Sequence, residues 1–496
     1  MFLETVGFAA ASAALLLLYY IAKWYITLSR YNLPPGPLCL PLLGSLLTVR
    51  FTAFQRQHYD NAKKYGNVVR RQIGPVQTIQ LNDPRIIKEA FSRDVLLPRP
   101  ILWPIHQRNR VNRGATGVVF ADGEMWKEHR RFILQTFRDF GVGKFRMEEK
   151  IVAEAGALVT FLKAQEGRPL ETKVPLSISV ANVIASVLTG ARYGMDDPQL
   201  RLLLQYTKEN FEFTMKKIIL IVMPWLQHVP PIRQTYRRFM EILHGLNAFF
   251  SRPMKEHLEN FVPDRNSDFL ESYISAVKSG QYSTLSTTEI PLLLEDLFEA
   301  GFETTTTTLR WALLMMALHP DIQRRVQSEL DRHVNAANGE FATPSEKLAT
   351  PYAEATLMEV HLYASVVPMG VDHCAREDIQ IEGYDVPKGS IVQVNIYFVH
   401  HIDAWWEEPE RFRPERFLIV GQGQTSEYLM PFGLGKRRCL GEALARAELF
   451  ILFCGIVQRF DIRLPEGVAS ADIDLTPTSG ITADTQPHRL CFIPRL

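Results

Sequence analysis

Cys439 lies in the run Phe432-Gly433-Leu434-Gly435-Lys436-Arg437-Arg438-Cys439-Leu440-Gly441. Its surroundings favour a metal-binding thiolate over a thiol that merely packs. A helical pattern begins directly behind it at Glu442, so the positive end of that helix stabilises negative charge on sulfur. Amides in such a loop donate to sulfur. The glycines at 433, 435 and 441 are expected to take positive φ and to let the backbone pass close to a flat ligand. Arg437 adds a cation suited to a carboxylate. Cys454, within an apolar helical run, reads instead as a small buried hydrophobe.

A second grouping is Ala300-Gly301-Phe302-Glu303-Thr304-Thr305, midway along a helical pattern over residues 292–318. Glycine and the five threonines at 304–308 are poor helix formers where helix propensity should be high. Threonine hydroxyls bond back to the carbonyl four residues earlier and bend a helix. A local break here would open a groove for a small molecule and water.

The cysteine segment resembles the haem-binding loop of the cytochrome P-450 superfamily, F-x-x-G-x-R-x-C-x-G. The likeness extends from the prolines near residue 34 to the C-terminus and is closest to the animal microsomal, family-2-like branch. It implies haem b (iron protoporphyrin IX) as cofactor, Cys439 as axial iron ligand, and Phe432, Gly435, Arg437 and Gly441 as its cofactor-binding loop. A thiolate in that position favours O–O cleavage. Thr304 would hydrogen-bond dioxygen and Glu303 would relay protons. Trp126 and Arg130 match the family's W-x-x-x-R; at i and i+4 they share one helix face and would donate to a propionate, with His373 and Arg99 as further partners. Ala300, Phe302 and Val367 would line an apolar substrate pocket, which Phe302 would narrow.

One position departs from the family. Pro414-Glu415-Arg416-Phe417 matches its meander motif, whose arginine normally joins an E-x-x-R pair in a buried ion cluster. This chain reads Glu359-Val360-His361-Leu362. Leucine stands where the second arginine belongs, and His361, two residues from Glu359, points elsewhere. Glu359 and Arg416 would then form the structural pair alone.

The resemblance implies a monooxygenase that inserts one atom of O₂ into a lipophilic molecule: a steroid, fatty acid, terpenoid or xenobiotic. Electrons would come from an NADPH–cytochrome reductase, with cytochrome b5 as a second candidate donor and Lys127, Arg131 and Lys436 as docking charges. Two other readings stand beside it: a haem-thiolate isomerase or dehydratase, and a non-catalytic haem-bearing binding protein, which the Leu362 departure keeps open.

The elements that must position these residues follow from the remaining sequence. Of 496 residues, 46% are hydrophobic and 22% charged, which marks a globular chain. Lys+Arg of 55 against Asp+Glu of 54 gives no sign of a nucleic-acid partner. Five scattered cysteines argue against a disulfide framework. Residues 6–22 carry no charge, Glu4 precedes them, and Lys23 and Arg30 follow. That pattern predicts a single-pass signal anchor (1–30) in the endoplasmic reticulum membrane with the body of the chain cytoplasmic. A proline-rich hinge (31–48) follows, then one haem-thiolate catalytic domain (49–496). The fold class is mainly α with minor β. Helices are expected at 149–164, 292–318, 321–334, 352–363 and 442–459, and strands at 67–73, 75–81, 379–384 and 390–395. The apolar run 218–226 suits either the core or a second membrane contact.

Overall fold

Helix 292–318, the longest pattern in the sequence, is also the axis of the structure. The computed structural model describes residues 12, 15–16, 18–26, 29–41, 43–50, 53–74, 76–141, 145–216, 220, 223–263, 265–418 and 427–495. Among these the helices are α1 (Phe54–Tyr65), α2 (Pro84–Ser92), α3 (Trp103–Val111), α4 (Gly123–Asp139), α5 (Phe145–Lys163), α6 (Lys173–Leu188), α7 (Pro198–Lys216), α8 (Pro230–Glu259), α9 (Phe269–Ser279), α10 (Ile290–Leu318), α11 (Pro320–His333), α12 (Pro351–Ala364), α13 (Ile396–His400) and α14 (Glu442–Arg459).

Local chemistry explains several boundaries. Asp83 caps α2 by accepting from the amides of Arg85 and Ile86, and Pro84 occupies its first turn. Asp268 caps α9, which ends on left-handed Gly280. Helix α10 is buried on nearly all sides, as an axis enclosed by other helices must be. It packs against α6, α8, α12 and α14.

The strands are few. β1 (Val68–Ile73) pairs antiparallel with β2 (Val76–Leu81), β2 pairs parallel with β7 (Ile391–Val394), and β7 pairs antiparallel with β4 (His373–Cys374). β3 (Leu170–Glu171), β9 (Arg489–Pro494) and β8 (Phe460–Arg463) form a second sheet in that order. The run 379–384, expected as one strand, is a hairpin of β5 (Ile379–Ile381) and β6 (Tyr384–Val386). It folds at Glu382 and Gly383, both with positive φ, where the glycine ends the apolar run.

The proline segment lies on this sheet. The Arg70 amide donates to the Pro35 carbonyl at 2.8 Å, and the Asp385 amide to Asn32 at 2.8 Å. Much of 6–22 lies outside the described residues; residues 18–26 are helical and mostly exposed. Among the described residues no helix is long and apolar enough to cross a membrane. Part of 218–226 is likewise outside them. Within it, Leu220 is buried beside Phe239 and Leu243, whereas Trp225 is 63% exposed.

Candidate active site

A cavity of about 330 Å³ lies between α10 and the loop that precedes α14. Ala300, Gly301 and Thr304 line it from α10, Val366 and Val367 from the segment after α12, and Cys439 from the loop. The Cys439 side chain is exposed to this space. Its amide donates to the Phe432 carbonyl at 2.9 Å, and the Gly433 amide closes a turn on Met430 at 3.1 Å. Burial pushes the Cys439 thiol up, while the Gly441 amide and the cations Arg130 and Arg438 pull it down.

Gly433 and Gly435 have positive φ as expected, but Gly441 does not; it is the N-cap of α14 at φ −89°. The tight approach at Gly435 is to protein, since a Cβ there would collide with the Phe91 carbonyl of α2. That contact with α2 by itself requires a glycine at 435.

Three arginines and a histidine gather at one end of the cavity. Arg99 Nη1 donates to the carbonyls of Val371 at 2.6 Å and Asp372 at 2.8 Å, while its Nε is buried without a partner. Arg437 donates to Leu97 at 3.0 Å and Ala121 at 2.6 Å, and its guanidinium lies 4.1 Å from the Trp126 ring. Arg130 donates to the Arg438 carbonyl at 2.7 Å. Trp126 and Arg130 do share one face of α4, with the Arg130 guanidinium 5.9 Å from the indole ring. None of the three arginines pairs with a carboxylate among the described residues. Burial lowers Arg99 to about 10 and Arg437 to about 9, with neighbouring guanidinium groups adding to the effect. His373 is pushed down to about 3 by burial and by Arg99 and Arg437. Its Nδ1 faces the Leu96 carbonyl at 2.5 Å, and its ring stacks on Phe91. This is a concentration of positive charge with no ion-paired carboxylate among the described residues; Asp372 near Arg99 and Asp122 near Arg437 offset part of it from a greater distance.

Helix α10 runs unbroken through the threonines, so the expected break is absent. Thr304 Oγ1 donates to the Ala300 carbonyl at 2.9 Å and Thr308 Oγ1 to Thr304 at 2.8 Å, which absorbs the hydroxyls within the helix. Gly301 serves packing instead: Ile184 of α6 comes within 2.8 Å of where its Cβ would stand. Phe302 does not line the cavity. It follows Ala300 by about 200° of helical rotation and is buried in the core against Phe298, ring centres 5.3 Å apart. Ala300, Thr304 and Val367 do line it.

Glu303 is also turned away, towards Lys173 Nζ at 3.7 Å. Lys173 holds Asp484 at 2.9 Å, and Asp484 also pairs with Arg310. Burial raises the Glu303 carboxyl, and Lys173 opposes it. Lys173 and Asp484, 311 residues apart, belong to no local motif. The sequence likewise gives no sign of Asp296, which faces the cavity but accepts from the amides of Val118 (2.6 Å) and Val119 (2.9 Å) and from Arg108. Glu448 of α14 reaches the same cavity with both carboxyl oxygens buried and unpartnered, and burial holds it well above the usual carboxylate range.

Replacing Thr304 by alanine removes the one hydroxyl of this turn that both lines the cavity and is partly accessible. For the oxygen-handling role that the family resemblance implies, product formed per reducing equivalent is expected to fall, with a matching rise in peroxide. Unchanged coupling would assign that role elsewhere.

Behind the site, Glu359 of α12 is fully buried and meets Arg416 Nε at 2.8 Å. The Arg413 amide donates to its other oxygen at 2.7 Å. The remaining donors of Arg416 reach the carbonyls of Glu407 (2.7 Å), Arg411 (2.9 Å) and Glu408 (3.2 Å). Leu362 is 0% exposed, so the leucine stands wholly inside the core, out of reach of water. Leu362→Arg is therefore expected to overpack the core and bury a third charge, destabilising by about 2–4 kcal/mol. A raised melting temperature and haem content would contradict this.

A cytochrome P450 family model matches residues 34–492. The chain is 34% identical to "Cytochrome P450 2J2" of Homo sapiens over 478 residues, covering 94% of this chain and 92% of that protein. It is 33% identical to "Cytochrome P450 2F2" of Rattus norvegicus (97% and 99% covered) and 30% identical to "Farnesoate epoxidase" of Bombyx mori (97% and 98%). That family carries haem b. The residues here fit the group: its two carboxylates are what the unpaired guanidinium groups of Arg99, Arg130 and Arg437 lack.

Proposed function

Because the chain belongs to the cytochrome P450 family and is a monooxygenase of that kind, we propose that Cys439 is the axial ligand of its haem b and that the protein oxygenates a lipophilic small molecule. The observation that carries this reading is a single cavity in which the Cys439 side chain and the α10 residues Ala300 and Thr304 meet, with unpaired cations at one end. Haem b, when bound through a thiolate, supplies reductive activation of O₂.

The residues divide that work. Arg99, Arg130, Arg437, Trp126 and His373 hold the propionates. Thr304 orients a proton donor towards the cavity, and Glu303, held by Lys173 behind the wall, acts at one remove. Val366, Val367 and Ala300 give the substrate an aliphatic wall, and the one carboxylate facing it from α10, Asp296, is already engaged by two amides and Arg108. An apolar substrate such as a steroid, fatty acid, terpenoid or xenobiotic suits that lining. The likeness to the farnesoate epoxidase of Bombyx mori supports the terpenoid class.

Electrons would come from an NADPH–cytochrome reductase, with cytochrome b5 as a second donor. Arg131 is an exposed docking charge, while Lys127 and Lys436 are each engaged by a neighbouring acid. We place the protein in the endoplasmic reticulum membrane through residues 1–30, with residues 31–48 as a strap and 49–496 as the catalytic body. The uncharged run at 6–22 supports this.

The test supplies purified protein, reductase, NADPH and a panel of lipophilic compounds under ¹⁸O₂. Product carrying one ¹⁸O atom is expected. Product formed without O₂ uptake would favour an isomerase or dehydratase, and haem binding without turnover a binding protein.

A further inference from the structure

The loop that carries Cys439 is held at its first residue by a buried histidine, and the histidine is held in turn by the end of α12. His400, the last residue of α13, is fully buried. Its Nε2 accepts from the Met430 amide at 3.1 Å. Its Nδ1 lies 2.9 Å from Ser365 Oγ, and that hydroxyl lies 3.1 Å from the Leu362 carbonyl. Only one arrangement of protons satisfies all three contacts. Nε2 must be bare to accept from the Met430 N–H, so Nδ1 carries the hydrogen and donates to Ser365, and Ser365 donates to Leu362.

The run continues into the site. The Met430 carbonyl accepts from Gly433, and the Phe432 carbonyl in that turn accepts from the Cys439 amide at 2.9 Å. Ser365 occupies a left-handed conformation, φ 42°, which a non-glycine residue adopts at a cost of about 1 kcal/mol or more. That conformation aims its hydroxyl at His400. The strut starts from the carbonyl of Leu362, the residue that stands in place of the family arginine.

We propose that His400 is a positioning residue for the thiolate loop. Through Met430 it fixes the turn from which the Cys439 backbone hangs, and Ser365 sets its tautomer. The proposal rests on Cys439 being the iron ligand. It concerns how the sulfur is held, not which substrate is oxidised.

Two substitutions of similar size separate this from a general packing role. In His400→Gln the amide oxygen can reach the Nε2 position and still accept from Met430. In His400→Asn the side chain ends at the Nδ1 position, so it can serve Ser365 but not Met430. Both remove the ring and place an amide in the same buried space. The measurement is the carbon monoxide difference spectrum of the reduced, purified full-length protein, read as the share of the band at the thiolate position against the thiol position, together with the haem reduction potential. H400N is expected to lose most of the thiolate-type band and to shift in potential, while H400Q keeps most of both. Equal spectra for the two would overturn the proposal whatever their melting temperatures.

Should H400N fail to accumulate, Ser365→Ala decides the matter. It keeps the backbone and frees the Nδ1 hydrogen, so part of the thiolate band should be lost, and an unchanged spectrum would refute the strut. Failure of the Cys439 reading looks different: the native protein would itself lack a thiolate band.

Discussion

Replacing Arg416 by alanine is expected to strip the protein of haem and lower its melting temperature by about 3–5 °C, the shift that a loss of about 3–5 kcal/mol produces in a domain this large. Glu359 is fully buried and has one cation, Arg416, on one oxygen and one amide, from Arg413, on the other. Even so, burial pushes its carboxyl up to about 7 against the pull of Arg416. Without that cation the carboxyl must take a proton or break out of the core. Three backbone carbonyls also lose their donors, each worth about 1 kcal/mol. Arg416→Lys keeps the charge but not the fork of donors and should fall between the two. Haem content and melting temperature check the series. A mild Arg416→Ala beside a stabilising Leu362→Arg would show instead that the site lacks its second arginine.

The parts of the site that were legible in the sequence are those written in short runs. The sequence bounds for α14 match the structure to the residue, and those for α10 and α12 to within about two; a proline in the first turn marks where α10 and α12 begin. Cys439, Arg437, Trp126, Arg130, His373, Ala300, Thr304 and Val367 all come to one cavity.

What failed concerned direction. Phe302 was expected to enter the pocket from its place in a motif, yet the helical rotation from Ala300 carries it to the opposite side. Glu303, one residue from Thr304, faces Lys173. The ion clusters Lys173–Asp484–Arg310 and Arg108–Glu295–Asp296 join residues far apart in the chain. No window of sequence contains them, so only the tertiary fold reveals that the charges are paired. The same holds for the Ser365–His400–Met430 strut, whose members lie on three different segments.

Cys439→Ala has the largest expected effect on activity, because no other thiol lines the cavity. None of the other cysteines lines the cavity: Cys39, Cys454 and Cys491 are buried elsewhere and Cys374 is half-buried on β4. The loop itself should survive, since its turn is held by the Met430, Phe432 and Gly435 carbonyls rather than by the cysteine side chain. Folding and expression should therefore be near normal while NADPH-dependent oxygenation is lost. The most direct measurement is the carbon monoxide difference spectrum of the reduced protein, native and Cys439→Ala, purified side by side. The native protein should show the band at the thiolate position and the variant should show none of it. A native protein without that band, or a variant that keeps it, would contradict the assignment of Cys439 as the ligand.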